Sequence, residues 1–342
     1  MNPSVAIVVL IVSVSIAAVL FSERSSAIER FADRYLAASD EERERIAEEH
    51  LKVYSPGVLL EALEGRDSLC HSAAHPVGRV IFRRSGNITD AMRQCQQACS
   101  YGCFHGALME LFSTNSDTLG GRLSEEGNGA LDEIADEASK FCFSDDVARV
   151  VLLRECIHGI GHVVTYAADY DLSKAVASCA RLKRAGLSDV CAAGAFMEFI
   201  QRAEYRPTVS QKNFYPCDLF PQQARGCYAF KGRFMLEAWG TFDAAVGACQ
   251  TLATMPERIG CIRGLGIAIG MRTELSRPDA LDGTCGELAE GERTACIEGA
   301  VSATVLRMDD GDSDPCLTMA PFFRDLCLLL HRERISSTNW LL

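Results

Sequence analysis

Apolar residues recur every three or four positions in several segments of the chain, which is the spacing of one buried helix face. The pattern is clearest in two consecutive pairs of segments. Each pair has a short first and a longer second member: Leu172–Leu182 with Ser188–Ile200, and Phe242–Leu252 with Pro256–Ile269. We therefore predict an all-α fold built from helical hairpins.

The N-terminus carries a different pattern. Residues 5–21 form an apolar run in which only Ser13 and Ser15 are polar, and this run is just long enough to span a bilayer core. Ser25-Ser26-Ala27 offers a small-x-small cleavage site, but the Lys/Arg n-region of a typical signal peptide is missing. We predict a membrane anchor at residues 1–27, with a cleaved signal peptide and a secreted protein as the alternative.

Residues 28–66 are predicted to form a helical stalk or N-terminal cap. Ser39 is a suitable N-cap, and the three acidic residues that follow it favour a helix N-terminus because they complement the helix dipole. Ser55-Pro56 begins another helix, since proline is favoured at the first helical position.

The cysteines beyond this cap are periodic. One set is separated by 35, 36, 34, 35 and 31 residues, and a second set precedes it by 10 to 14 residues in each repeat. A period near 35 is typical of stacked helical hairpins. We predict one disulfide in each hairpin: Cys142–Cys156, Cys179–Cys191, Cys217–Cys227, Cys249–Cys261, Cys285–Cys296 and Cys316–Cys327. Repeat register assigns Cys95 to Cys103 and leaves Cys70 for Cys99, but other pairings of these four stay open.

The period and the hairpin design resemble those of tetratricopeptide and Sel1-like solenoids, over roughly residues 90–332. The resemblance implies a solenoid fold and no particular function, because the Trp/Leu/Gly/Tyr signature of tetratricopeptides is absent. A glycine three residues after the second cysteine recurs in the repeats, as in Gly106 and Gly159. We expect it to let a neighbouring helix approach closely.

Composition places the protein outside the cytoplasm. Sixteen cysteines is an even and high number, and no Cys-x-x-Cys pair typical of zinc or iron–sulfur sites occurs. Disulfides in an oxidising compartment, the periplasm or the cell surface, fit better. A net charge of −12 argues against a nucleic-acid partner, which would require a basic surface.

Five of the seven histidines follow cysteines within six residues, in the first half of the chain. They are His71, His75, His105, His158 and His162. Two pairs have the i,i+4 spacing that places both side chains on one helix face. His105 and His158 share one repeat position, two residues after the second cysteine, where later repeats carry other residues such as Arg263 and Glu298.

We predict that these five imidazoles converge on a transition metal, either zinc, copper or iron, with haem as a less favoured alternative. Asp67, Glu110 and Glu155 are the candidate carboxylates, as ligands or as partners of the ligand imidazoles. The alternative for each histidine is a buried polar residue that bonds to the backbone. Glu110 and Glu198 repeat within Met-Glu pairs, which indicates either an acidic row or contacts to a neighbouring hairpin.

The predicted protein is therefore an exported metal-binding or haem-binding helical-repeat protein, with residues 67–166 as the His/Cys-rich part, residues 167–334 as further stapled repeats and residues 335–342 as a tail. Metal-dependent redox or hydrolytic activity is open, since no motif specifies a reaction. The alternative function is a scaffold that binds a protein or peptide in the groove of the solenoid.

Overall fold

A computed structural model describes residues 26–67, 70–95, 98–114, 128–148, 153–182, 186–202, 213–271, 284–305, 315–319 and 321–336. These residues are helical and contain no strand, so the predicted all-α class is confirmed for them. The apolar run at residues 5–21 and the end of the tail lie outside the described residues. Within the described part, no helix combines the length and the apolar character needed to cross a bilayer.

Sixteen α-helices are described, together with three short 3-10 helices at Cys217–Leu219, Pro221–Gln223 and Pro315–Thr318. The α-helices are α1 (residues 26–37), α2 (Asp40–His50), α3 (Pro56–Arg66), α4 (His71–Ser85), α5 (Ile88–Cys95), α6 (Gly102–Thr114), α7 (Asn128–Cys142), α8 (Asp145–Ala148), α9 (Leu153–Ala167), α10 (Leu172–Cys179), α11 (Leu187–Gln201), α12 (Ala224–Trp239), α13 (Phe242–Gln250), α14 (Met255–Gly270), α15 (Glu290–Val305) and α16 (Pro321–Ser336).

The long helices pack in chain order. Helix α4 packs on α6, α6 on α9, and α9 on α11, and the contacts continue through α12, α14, α15 and α16. The shorter helices α5, α10 and α13 each pack against the long helix that follows them. Their apolar faces join one core that extends from α1 to α16.

Eight disulfides cross-link these helices, with Cα–Cα distances between 5.2 and 5.9 Å. The bonded pairs coincide with the six pairs that the cysteine period predicts and with the assignments Cys70–Cys99 and Cys95–Cys103. The eight bridges use all sixteen cysteines, and none is free. So many disulfides indicate an oxidising compartment outside the cytoplasm.

Glycines allow the long helices to cross at backbone contact. A Cβ at Gly106 would overlap the carbonyl oxygen of His75, and a Cβ at Gly194 would overlap that of His158. The predicted role of the periodic glycine therefore holds at these crossings. Gly159 differs, because it faces the side chains of Leu108 and His105.

The N-terminal helices pack on the histidine-bearing part of the fold. The Tyr35 hydroxyl donates to the Ala73 carbonyl oxygen at 2.8 Å, and Arg79 binds Glu44 of α2 at 2.6 Å. Ser39 caps α2 by accepting from the Glu42 amide, as its position predicts. Helix α4 continues through Pro76 to Ser85, although that proline would favour a bend after His75.

Candidate metal centre

Four imidazoles from three helices meet in the interior. His71 and His75 lie one turn apart on α4, His105 lies on α6 and His162 on α9. One ring nitrogen of each lies within 4.8 Å of one ring nitrogen of every other. All four side chains are buried, with at most 3% of their surface exposed.

Close helix crossings bring these side chains together. Gly102 and Gly106 of α6 lie directly on the backbone of His71 and His75, so α4 and α6 touch at the level of their histidines. Gly159 leaves space on α9 for the His105 ring, which lies where its Cβ would be. A side chain at any of these glycines would separate the helices and disperse the imidazoles.

A left-handed segment precedes α6. Cys99, Ser100 and Tyr101 have φ values of 54°, 51° and 63°, a conformation that costs L-residues roughly 1–2 kcal/mol each. This segment directs the Ser100 carbonyl oxygen to Nδ1 of His71, which donates to it at 2.9 Å. The Cys70–Cys99 disulfide joins the residues that precede His71 and Ser100 and keeps this pair in place.

The hydrogen bonds of His71 and His105 determine which of their nitrogens carry protons. A carbonyl oxygen only accepts, so His71 Nδ1 is protonated toward Ser100, and His105 Nε2 is protonated toward the Glu155 carbonyl oxygen at 3.2 Å. In the neutral rings the other nitrogens carry lone pairs. These two nitrogens, His71 Nε2 and His105 Nδ1, face each other at 3.2 Å.

His75 and His162 share a different partner, the Glu198 carboxylate of α11. Its Oε2 accepts from His162 Nδ1 at 2.7 Å and lies 3.4 Å from His75 Nδ1. Its Oε1 accepts from the Tyr170 hydroxyl at 3.1 Å. The remaining nitrogens, Nε2 of His75 and of His162, are buried without a hydrogen-bond partner. A neutral ring that donates to Glu198 through Nδ1 carries a lone pair on this Nε2.

Burial favours the neutral form of three of these imidazoles. Desolvation lowers the pKa values of His71, His75 and His105 well below the usual 6.5, and the neighbouring imidazoles lower them further. Metal ions bind the neutral form of imidazole. The environment therefore favours the protonation state that a ligand requires.

His158, the fifth predicted ligand, lies beside this group of four. Its ring centroid is 5.3 Å from that of His105 and 5.1 Å from that of His162, but its Nε2 faces the Met197 sulfur at 3.3 Å. Its Nδ1 is buried without a hydrogen-bond partner. The structure therefore brings five histidines together and directs four of them to one point.

The three predicted carboxylates occupy other positions. The Glu155 carboxylate binds Arg154 at 2.6 Å, and it is the Glu155 backbone carbonyl that meets His105. The Glu110 carboxylate binds Arg83 at 3.1 Å, and Asp67 lies at the end of α3 on the wall of a cleft.

Glu198 contacts two of the four imidazoles, and the predicted site residues did not include it. Its signal in the sequence is its register, seven residues after the second cysteine, which it shares with Glu110. Both residues do bond to a neighbouring long helix, Glu110 to α4 and Glu198 to α4 and α9.

A polar cleft of about 380 Å³ reaches the edge of the centre. His75, Glu198 and Tyr170 line its inner part, and side chains of α2 line another part of its wall. Arg202 lies over the Tyr170 ring at 3.4 Å from the ring centroid. The buried imidazoles are therefore within reach of a small solute from one side.

The arrangement is chemically suited to hold a transition-metal ion. Nitrogens of four imidazoles converge. Three of the rings hydrogen-bond a carbonyl or carboxylate oxygen through their other nitrogen, and His75 Nδ1 lies 3.4 Å from the Glu198 carboxylate. Such outer partners fix the tautomer and orientation of metal-bound histidines. The chain matches no protein-family model, and it is not similar to any curated protein or solved structure compared with it.

Proposed function

We propose that the protein binds one transition-metal ion in an oxidising extracytoplasmic compartment, with His71, His75, His105 and His162 as its ligands. The surroundings of these residues support this set over one that includes His158, because one nitrogen of each of the four lies within 3.4 Å of a carbonyl or carboxylate oxygen, whereas His158 Nε2 faces the Met197 sulfur. Anchoring through residues 5–21, a stacked solenoid and a protein partner in its groove stay predictions beside this proposal.

The observation that carries the proposal is the contact between His71 Nε2 and His105 Nδ1. Two lone pairs that face each other at 3.2 Å repel unless a cation lies between them. Two ligand bonds of about 2.0–2.1 Å at a tetrahedral angle place their nitrogens about 3.3 Å apart. The separation of the two nitrogens thus suits a shared metal ion.

A shared proton is the other way to relieve this contact. It would convert one of the two rings to imidazolium in a site where burial lowers the pKa of both. At neutral pH a metal ion is therefore favoured over a proton. The His75 and His162 lone pairs, which have no protein partner, complete the coordination of an ion but would stay unsatisfied around a proton.

The ligand set favours a single ion of zinc or copper, with iron also compatible, because neutral imidazoles suit these borderline metals. It disfavours haem. The porphyrin supplies four nitrogens to its iron, so the protein provides axial ligands only, and four convergent imidazoles would be in excess. Four protein ligands are also typical of closed sites rather than of hydrolytic sites, which keep an open position.

The test measures the metal content of the full chain purified from an oxidising compartment. The wild type is compared with variants in which single histidines of the cluster are replaced. We expect one metal ion per chain in the wild type, and loss of that ion in His105→Ala and His162→Ala. His158→Ala is the matched control, because His158 has the same repeat position as His105 and the same burial but lies outside the set of four.

Cobalt provides an independent measurement, since tetrahedral Co²⁺ gives a visible absorption spectrum that depends on its ligands. We expect this spectrum for the wild type and for His158→Ala only. A wild type that takes up no zinc, copper, cobalt or iron, and whose melting temperature these metals do not change, would refute the proposed function.

A further inference from the structure

The cleft beside the centre exposes one edge of the ligand set. His75 lines the cleft together with Glu198, whereas His71, His105 and His162 lie behind them and do not belong to its wall. The His75 side chain is only 4% exposed, and its Nε2 has no hydrogen-bond partner. An ion that reaches the centre through this cleft therefore meets Glu198 and His75 first.

The wall of the cleft is acidic. It carries five carboxylates, from Asp40, Glu41, Glu44, Asp67 and Glu198, and three guanidinium groups, from Arg43, Arg79 and Arg202. Two of the arginines are paired with acids of the same wall, because Arg43 binds Asp40 at 2.9 Å and Arg79 binds Glu44 at 2.6 Å. Arg83, outside the wall, also binds Glu44 at 2.7 Å, so the acidic excess comes from the other carboxylates. A cleft with an excess of one charge concentrates ions of the opposite sign.

Glu198 occupies the inner end of this path. One of its oxygens receives the Tyr170 hydroxyl from the cleft side, and the other holds His162 and His75. Its carboxylate is thus a negative group that an arriving cation meets before the four lone pairs. The same carboxylate orients two of the four ligands, so one residue both meets the entering cation and positions its ligands.

We propose that this cleft is the loading route of the centre, through which hydrated divalent transition-metal cations enter and leave, with Glu198 as the group that passes them to His75. The inference rests on the proposed function and adds to it that the ion is an exchangeable cargo loaded from one side. A purely structural ion, enclosed during folding, would need no such path.

The experiment measures the rate at which the metal-free full chain takes up Co²⁺, by stopped-flow absorption at low and high salt. Glu41→Lys reverses one charge on the cleft wall, at an exposed residue in the first turn of α2. Asp243→Lys is the matched control, because Asp243 is exposed, lies in the first turn of α13 and is not part of the cleft wall.

We expect Glu41→Lys to slow the association of Co²⁺ about tenfold at low salt, and salt to reduce the difference, because electrostatic focusing is screened. Asp243→Lys should associate like the wild type. Both variants should still bind one ion, since neither residue contacts a ligand. Equal rates for Glu41→Lys, Asp243→Lys and wild type at low salt would overturn the loading route while leaving the metal centre intact.

A second pair of variants tests the inner end of the path. Glu198→Gln should lower metal affinity about 10-fold to 100-fold, as is usual when a carboxylate partner of a ligand histidine is changed. Glu110→Gln alters the carboxylate at the same repeat position, which binds Arg83, and should leave the affinity unchanged. An unchanged rate of Co²⁺ uptake in Glu198→Gln would remove Glu198 from the route, and an unchanged affinity would remove it as the group that orients two of the ligands. Absence of uptake by the wild type would instead refute the proposed function and, with it, the route.

Discussion

The two halves of the row of long helices use one frame in opposite ways. In both halves, glycines let neighbouring helices touch and disulfides tie long helices to neighbouring segments. At the position two residues after the second cysteine, the first half has His105 and His158, and the second half has Arg263 and Glu298. Arg263 and Glu298 form an ion pair across neighbouring helices, whereas His105 directs a lone pair at His71.

The difference shows two ways in which the polar groups at one repeat position can be satisfied. An arginine and a glutamate satisfy each other, so that crossing is complete within the protein. Two imidazoles whose outer nitrogens are already bonded cannot do so, and under the proposed function a metal ion completes that crossing. The scaffold tolerates both solutions because its stability comes from glycines, disulfides and apolar contacts that the two halves share.

The largest expected difference between the halves is their response to metal. An ion present at about 1,000 times its Kd should stabilise the folded state by about 4 kcal/mol. Hydrogen exchange measured by mass spectrometry should show the added protection in α4, α6, α9 and α11, with little change in α14 and α15. His162→Ala should abolish the effect, and equal protection of both halves would contradict the comparison.

Acid should destabilise the first half of the row of long helices in the metal-free protein. The pKa values of His71, His75, His105 and His158 are lowered by burial, so the unfolded chain binds protons at pH values where the folded protein does not. Stability is then complete above pH 6.5 and falls as the pH decreases below it. From pH 7 to pH 6 the loss should be about 0.7 kcal/mol for each imidazole, or about 3 kcal/mol for the four.

Urea unfolding of the chelator-treated protein at the two pH values measures this loss. Saturating metal should reduce it, because bound metal keeps the imidazoles deprotonated. A metal-free protein that is equally stable at pH 7 and pH 6 would show that the buried imidazoles do not control its acid sensitivity.

Removal of the ion pair in the second half should lower the stability by a smaller amount, and this loss should not depend on metal. Glu298→Leu leaves the buried Arg263 without this carboxylate, and we expect a loss of about 2 kcal/mol, below the usual range for buried pairs because Glu298 is partly exposed. The double variant with Arg263→Leu should recover most of that loss. Denaturant unfolding measures both, and metal affinity should stay at the wild-type value in each variant.

Much of the fold follows from patterns that depend on spacing alone. The periods of the cysteines predict six of the eight bonded pairs, because a hairpin of two short helices brings its ends to disulfide distance whatever the details of packing. For the other four cysteines, repeat register suggests the bonded pairs but leaves other pairings open. The apolar pattern places Leu187–Gln201 and Met255–Gly270 within one residue of their predicted limits at each end. These features are local, so a single sequence contains them.

The contacts within the centre cannot be predicted from spacing in the same way. Spacing indicates that histidines from α4, α6 and α9 lie near one another, but it cannot tell His162 from His158, which are both buried on α9. Their directions depend on the angle at which α9 crosses α6 and α11. The role of Glu198 likewise depends on a contact between α11 and α4, which are far apart in the sequence. Repeat register alone makes Glu198 equivalent to Glu110.

The left-handed residues described before α6 have a counterpart near Glu198. Asp169 and Tyr170 also have positive φ values, and with Cys99, Ser100 and Tyr101 they are the non-glycine residues in this conformation within the described part of the chain. One segment presents a carbonyl to His71, and the other presents a hydroxyl to Glu198. The cost of ordering both is met during folding, so the ligands are preorganised. The rate of capture should then depend mainly on the dehydration of the arriving ion, so a metal that releases its water readily would be captured faster than one of equal affinity that does not.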